Sequence, residues 1–407
     1  MLSQPESDEN PQIHLLEIAG NAIVGGMENY VYNLVQHLPA THFKVTVLTV
    51  YESPFTASLR QAGCDVYITS MDIDPPWRSI QFATELIRHQ KIQLVHAHLP
   101  RAHVLAGLAA NLTGIPAVAT VHGMEITTQE LGISRTTGTH LTVVCHQAYS
   151  QALGLGLPEE RLTLIPNGVD TKLFSTNRSG AALKKSLRIP PNSPLVGFVG
   201  RLSWEKGPDQ FVQLAGLVHE ELPDVHFVIV GSGPMEDEIA GMIKAKNLQE
   251  VVHMPGSIAN TWDVYPAFDL LVQTSRVEGM PFAILEAMAS GKPVAAMGVG
   301  GVPEIVEVGT TGILSAGGDW EGLGRATAKL LLNPDKLKQM GHAARKRVEE
   351  NFDWQYSVHS MENLYYRLLG RNVPKELLLQ TPQNWPMVKQ GNNTVEVETR
   401  SIFDKDG

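Results

Sequence analysis

The segment SRVEGMPFAILEAMASGKPVAA, residues 275–296, carries two carboxylates eight positions apart, Glu278 and Glu286. An apolar run, LLVQTS, ends just before it. Glu278, Gly279, Met280 and Pro281 read as a turn, and the spacing predicts a helix from about Phe282 to Ser290, stopped by Gly291. Pro281 suits the first helical position. Such a helix start offers free N–H groups and a partial positive charge, which favour a phosphate. Gly279 lets the backbone approach closely. Eight helical residues span about 12 Å, too far for two carboxylates to act as acid and base on one bond. They could instead bracket a long ligand, with anionic phosphates between them. Taken alone, the pair reads equally as a turn cap and a solvated helix residue. In LVGFVGRLSWEKGPDQ, a strand delivers Arg201 and Lys206 into a loop. A guanidinium forks onto phosphate oxygens and an ammonium adds a point charge, so the two suit a diphosphate. Alone, they also read as ordinary surface charges.

The first half holds a counterpart. Gly25 and Gly26 follow the first strand and precede a helix, so this helix start also offers N–H groups. His122 closes the strand AVATVHG, at a carboxyl end where ligands of such sheets bind. His96 and His98 share a strand face and His103 follows, but no Cys or acidic residue accompanies them at tight spacing. Asp72-Ile73-Asp74 is followed by two prolines and reads as a turn. No metal site is therefore expected. Gly231-Ser232-Gly233 turns a strand into a helix. It is not a dinucleotide fingerprint, because position 236 is Glu, and no GxxxxGK[ST] loop is present.

These residues need elements to position them. Short Val/Ile/Leu-rich runs alternate with amphipathic stretches such as MENYVYNLVQHL and FVQLAGLVHEEL along most of the chain. That alternation predicts an α/β fold with parallel sheets and right-handed crossovers. About thirteen strands exceed one comfortable open sheet, so two doubly wound Rossmann-like halves with a cleft between them are expected. The boundary is expected within Lys172–Pro194, which is rich in Ser, Pro and Lys. The reading is a flexible terminus over 1–11, a first domain over 12–175 and a second over 192–354. A helix over 355–371 rejoins the first domain, and a polar, disordered tail covers 372–407.

Composition removes other classes. The chain has 407 residues, 43% of them hydrophobic and 18% charged, with 36 Gly and 25 Pro, so it is neither fibrous nor mainly disordered. Its net charge of −10 argues against a general nucleic-acid binder. Cys64 and Cys145 cannot build a disulfide framework, which fits a reducing cytoplasm. No apolar run reaches transmembrane length, and the polar start lacks a signal-peptide core.

Jointly, the motifs resemble the retaining, nucleotide-sugar-dependent glycosyltransferases of family 4, which have the two-Rossmann GT-B fold. The resemblance covers roughly residues 13–370. The E-x7-E motif is Glu278 and Glu286 within EGMPFAILE. GRLSWEKG, ASGKPVAAMGVGGVPEIV, IPNGVD and the Gly25 loop agree with it. By that resemblance, Arg201 and Lys206 neutralise the donor diphosphate, helped by N–H groups of the stretch Gly279, Met280, Pro281 and Phe282, in which Pro281 sets the turn and has no N–H to give. Glu286 accepts from ribose hydroxyls, and Glu278 lies by the donor sugar. Gly25 and Gly26 approach the diphosphate from the first domain. Pro255 and Gly256 pack on the base, and His122 sits beside the transferring sugar and its acceptor. The last helix crosses back to the first domain. The implied enzyme is a hexosyltransferase-type transferase in polysaccharide, glycolipid or glycoconjugate biosynthesis. Its partners are a nucleoside-diphosphate sugar and a sugar, lipid-linked or polysaccharide acceptor. No cofactor or essential metal is implied. The implied location is cytoplasmic, with peripheral contact at the inner face of the membrane open. Two other readings stay open: a nucleotide-sugar epimerase on the same scaffold, and a non-catalytic sugar-nucleotide-binding partner subunit.

Overall fold

A computed structural model describes residues 12–374 apart from 24 and 73. The segment 1–11 and almost all of the tail expected over 372–407 lie outside the described residues. The chain divides into two compact units. The first holds the described residues up to Asn167 and those from Gln355; the second runs from Gly168 to Trp354. The division falls ahead of the Lys172–Pro194 stretch. Residues just past it are tied into the second unit, where Arg345 donates to the carbonyls of Thr171 and Phe174.

The first unit alternates strand and helix in chain order. It comprises β1 (Ile13–Ala19), α1 (Gly26–His37), β2 (Phe43–Thr49), α2 (Pro54–Gln61), β3 (Asp65–Ile68), α3 (Trp77–Gln90) and β4 (Leu94–His98). It continues with α4 (Pro100–Thr113), β5 (Ala117–Val121), α5 (Thr128–Thr137), β6 (His140–Val143), α6 (His146–Gly154) and β7 (Leu162–Leu164). All pairings are parallel, and the strand order is β3-β2-β1-β4-β5-β6-β7. One face is apolar: Leu16, Ile18, Val95 and Ala97 pack with Ala83, Leu86 and Ile87 of α3 and with Ala102, Leu105 and Ala106 of α4. Because side chains alternate along a strand, the residues between these face the other way. Those are Glu17, His96 and His98, and they make the centre of that second face polar.

The second unit contains α7 (Ala181–Ser186), β8 (Leu195–Val199), α8 (Pro208–Glu221), β9 (His226–Val230), α9 (Glu236–Ala245) and β10 (Val252–Gly256). These are followed by β11 (Leu270–Gln273), α10 (Phe282–Ala289), β12 (Val294–Met297), α11 (Val302–Ile305), β13 (Gly312–Ser315), α12 (Trp320–Leu331) and α13 (Pro334–Asn351). Its six strands are parallel, in the order β10-β9-β8-β11-β12-β13. Phe198, Phe211, Phe227, Ile229, Leu214 and Val272 are fully buried in its core. The last helix, α14 (Trp354–Leu368), packs in the first unit, as the resemblance implied. Ser357 donates to the Pro166 carbonyl, and Tyr365 reaches Glu17 and His96. Each sheet reverses strand order once, at β1/β4 and at β8/β11. Ligands of doubly wound sheets bind outside the carboxyl ends of the strands at such reversals.

Candidate active site

In the second unit the reversal is crowned by two loops clamped together. The loop after β8 carries Arg201 and Lys206, and the loop after β11 carries Glu278. Arg276 and Val277 donate their backbone N–H groups to the Glu205 carbonyl, and Thr274 Oγ1 donates to the Gly207 carbonyl. Arg276 also forks onto Asp209 and stacks 5.1 Å from the Trp204 ring. Gly207 sits at φ +64, where a Cβ would meet the Thr274 carbonyl oxygen at 2.2 Å, so only glycine lets the loops close this tightly.

The clamp brings Lys206 Nζ to 2.7 Å from Glu278 Oε2. Glu278 is nearly buried, and its Oε1 accepts from Ser275 Oγ at 2.7 Å and Gln273 Nε2 at 3.3 Å. Glu278 is thus the counter-ion of Lys206, with both of its oxygens engaged. Ser275 and Gln273 were not singled out from sequence. Arg201 is exposed and makes no hydrogen bond or ion pair among the described residues.

Pro281 is the N-cap of α10 rather than its first residue, and Phe282 opens the helix with no side-chain cap. Its first N–H groups therefore lack a side-chain acceptor. Gly291, at φ +72, follows the end as expected. Gly279 is strapped by a hydrogen bond from the Gly301 N–H to its carbonyl, and Met280 is buried. Glu286 is no solvated helix residue: the Tyr265 hydroxyl donates to its Oε2 at 2.6 Å. Burial pushes its pKa up to about 7, against hydrogen bonds from Tyr265 and Thr261. At the end of β10, Pro255 is exposed and Gly256 adopts φ +80. Gly231 and Gly233 are explained by packing alone: a Cβ would lie 1.9 Å from the Gly200 oxygen and 2.4 Å from the Leu202 oxygen, respectively.

In the first unit, Gly25 is the N-cap of α1, again without a side-chain cap. Its backbone is extended, so glycine is not required by conformation; a Cβ there would instead crowd Glu28 Oε2 at 3.1 Å. His122 follows β5, half-buried, with its ring edge-on to Tyr30 at 4.9 Å. Its Nε2 lies 3.1 Å from His98 Nδ1. No acidic residue stands at tight spacing to His96 and His98 along the chain, but the fold brings one to them from β1. Glu17 is the register partner of His96 across β1 and β4, and its oxygens lie 3.2 Å from His96 Nδ1 and 2.7 Å from His98 Nε2. Each of the three residues offers an atom within 4.8 Å of the other two, but all are already hydrogen-bonded within the cluster. Asp72 and Asp74 are exposed ahead of α3.

Two family descriptions match the chain. "Glycosyltransferase Family 4" matches residues 24–173, and "Glycosyl transferases group 1" matches residues 181–347. The chain belongs to glycosyltransferase family 4. It is 27% identical over 298 residues to the N-acetyl-alpha-D-glucosaminyl L-malate synthase of Bacillus anthracis, spanning 70% of this chain and 77% of that one. It is 25% identical over 365 residues to the UDP-Gal:alpha-D-GlcNAc-diphosphoundecaprenol alpha-1,3-galactosyltransferase of Escherichia coli, spanning 84% and 94%. The solved structure of Anabaena HepE in complex with UDP-glucose matches with a TM-score of 0.79 at 20% identity, covering 88% of this chain and all of that one. The fold of this family 4 member is accordingly GT-B.

Within the second unit of this glycosyltransferase, Lys206 meets Glu278 a few residues ahead of the start of α10, and Arg201 shares the loop of Lys206. Within the first, His122 heads a buried polar row that sequence reasoning missed beyond its histidines. No helix among the described residues is long and apolar enough to cross a membrane.

Proposed function

We propose that the protein moves a sugar from a nucleoside-diphosphate sugar to an acceptor hydroxyl with retention of anomeric configuration, without an essential metal. The observation that carries this reading is the Lys206–Glu278 pair clamped beside the uncapped start of α10, with Arg201 exposed nearby. The relatives' names, which include a UDP-galactose-dependent enzyme, support a nucleotide-sugar donor. A solved neighbour holding UDP-glucose adds to that support.

On this reading, Arg201 and Lys206 take the charge that builds on the diphosphate as the sugar–phosphate bond loosens towards an oxocarbenium-like state. The N–H groups of α10 contribute fixed partial positive charge to the same oxygens. Glu278 holds Lys206 in place and stands by the donor sugar. Glu286, oriented by Tyr265, accepts from the ribose hydroxyls. Pro255 and Gly256 supply backbone against the base. The acceptor hydroxyl attacks on the face the diphosphate leaves, with His122 beside it. The acceptor is a sugar, a lipid-linked sugar or a polysaccharide.

A thermal-shift panel of UDP, GDP, ADP and their common sugars, with and without chelator, tests the donor site. A ligand at 100 times its dissociation constant adds about 2.7 kcal/mol of stability. A selective shift that survives chelation is expected. No shift from any nucleotide, or one abolished by chelator, overturns the reading.

A further inference from the structure

Glu17 lies in the middle of β1 and is fully buried. A carboxylate there is costly unless its neighbours compensate it. Burial pushes its pKa up, but the imidazoles of His96 and His98 outweigh that and hold it at about 2. It is therefore an acceptor only, and His98 Nε2, 2.7 Å from its Oε2, must carry a proton. Burial, reinforced by His96, holds His98 at about 4, so at neutral pH that proton is its only one. His98 Nδ1 is then bare. The atom facing it at 3.1 Å is His122 Nε2, which must be the donor. His122 in turn is kept neutral by burial and by the nearby His98, His103 and His96. Its remaining ring nitrogen, Nδ1, makes no hydrogen bond among the described residues, although the ring is half-buried. The chain of contacts thus leads from a buried carboxylate to one ring nitrogen without a hydrogen-bond partner among the described residues.

The backbone holds this row rigidly. Glu17 pairs with His96 and Ala19 with His98 in the β1/β4 register, and His98 pairs with Thr120 across β4/β5. Directly after His98, Leu99 sits at φ +76, a left-handed conformation that is strained for a non-glycine residue. Hydrogen bonds from Gly20 N–H to the His98 carbonyl and from His103 N–H to the Leu99 carbonyl hold it there.

We propose that Glu17 and His98 are positioning residues that lock His122 in the tautomer protonated on Nε2, presenting its bare Nδ1 as an acceptor to a hydroxyl of the bound sugar or of the acceptor. This rests on the transferase reading above. A carboxylate that fixes a catalytic histidine's tautomer in a hydrolase triad is worth about 10⁴ in rate. Here a second imidazole intervenes, so the expected loss on removing the carboxylate is smaller, about 10- to 100-fold. The other titratable groups packed around the row are Tyr30 from α1, His96 on β4, His103 on α4 with Glu130 of α5 at 3.3 Å, and Tyr365 of α14.

The test uses the full chain labelled with ¹⁵N-histidine, without ligand, at pH 7.5. Two-bond ¹H–¹⁵N correlations show which nitrogen of His122 bears the proton. The expected result is Nε2 in the wild type and a mixed population in Glu17→Gln. Turnover is read as UDP release from UDP-glucose or GDP release from GDP-mannose, whichever the wild type uses. Glu17→Gln is expected to lose kcat about 10- to 100-fold with KM little changed. Tyr365→Phe, which removes a hydroxyl from the same buried cluster but not from the His98–His122 chain, is expected to keep its kcat within about threefold. A wild-type His122 protonated on Nδ1 overturns the proposal with no variant needed. So does an equal loss of kcat in the two variants, or a stoichiometric metal in the purified protein that Glu17→Gln abolishes. If neither nucleotide sugar is turned over and no nucleotide shifts the melting point, the transferase reading fails, while the spectrum still decides the tautomer.

Discussion

At the scale of single residues, the proposed function gives Arg201 and Lys206 the same diphosphate but the structure gives them different surroundings. Each is expected to lose about 10²–10³ in kcat/KM on substitution by Ala, the usual loss for a charge-stabilising donor. Stability separates them. Arg201 is exposed and makes no hydrogen bond or ion pair among the described residues, so Arg201→Ala shifts the melting point little. Lys206→Ala strips the counter-ion from the nearly buried Glu278, so it lowers the melting point, and adding Glu278→Gln restores much of it. Equal melting points for the two single variants would sink the pairing argument. Glu286 makes a pH prediction. Its carboxyl, pushed up to about 7, is protonated below that pH and cannot accept from both ribose hydroxyls. Donor KM should rise as pH falls from 8 to 6, and Glu286→Gln should flatten the profile; an unchanged profile removes Glu286 from the ribose. The types and spacing of these residues were legible in the sequence. Their pairing was not, because it depends on two loops that bring together residues 72 positions apart.

At the scale of elements, the apolar runs and the glycine and proline punctuation located the strands and helices well. Buried parallel strands must be apolar on both faces, and that pattern is visible in one dimension. The exceptions carry the information. β1 and β4 break their apolar runs with Glu17, His96 and His98, and the sequence carried no mark of the register that sets Glu17 opposite His96. Glycines show the same split between local and tertiary causes. Gly231 sits at φ +144 with no room for a Cβ, because the Gly200 carbonyl of the adjoining β8 end lies 1.9 Å away. Gly231→Ala should destabilise the second unit by about 3 kcal/mol or more. Gly241 lies inside α9 with nothing near its Cβ position, so Gly241→Ala should stabilise by about 0.5–1 kcal/mol. Urea melts of the two variants check this; the same sign for both would contradict the packing account.

At the scale of the molecule, the first unit buries titratable groups whose effects on stability oppose one another. His140 of the first is held at about 4 by burial and by Arg367, against an ordinary value of 6.5. Between pH 6.5 and 4 the unfolded chain takes up a proton that the folded unit refuses. The stability is complete above pH 6.5 and is lost as pH falls towards 4, by about 3 kcal/mol for this group. His98 acts in the same direction. Glu362, pushed up to about 7 by burial, has the opposite sign, costing stability as pH rises from 4.5 to 7. Melting of the wild type and of His140→Gln from pH 7.5 to 4.5 separates these contributions. The variant should lose less stability on acidification, and identical slopes would remove His140 from the balance.

By itself the sequence determined the fold class, the two-unit organisation, the family motifs and the identity of the charged residues, because each is written in neighbouring positions. Periodicity, turn chemistry and short motifs are local, and a single chain carries them without knowing its folded neighbours. The tertiary structure alone decided that Lys206 meets Glu278, that Tyr265 holds Glu286, and that Glu17 lies under His98 and His122. Those contacts follow from strand order and register, which are settled by the burial of whole sheet faces and leave no trace at the positions they join.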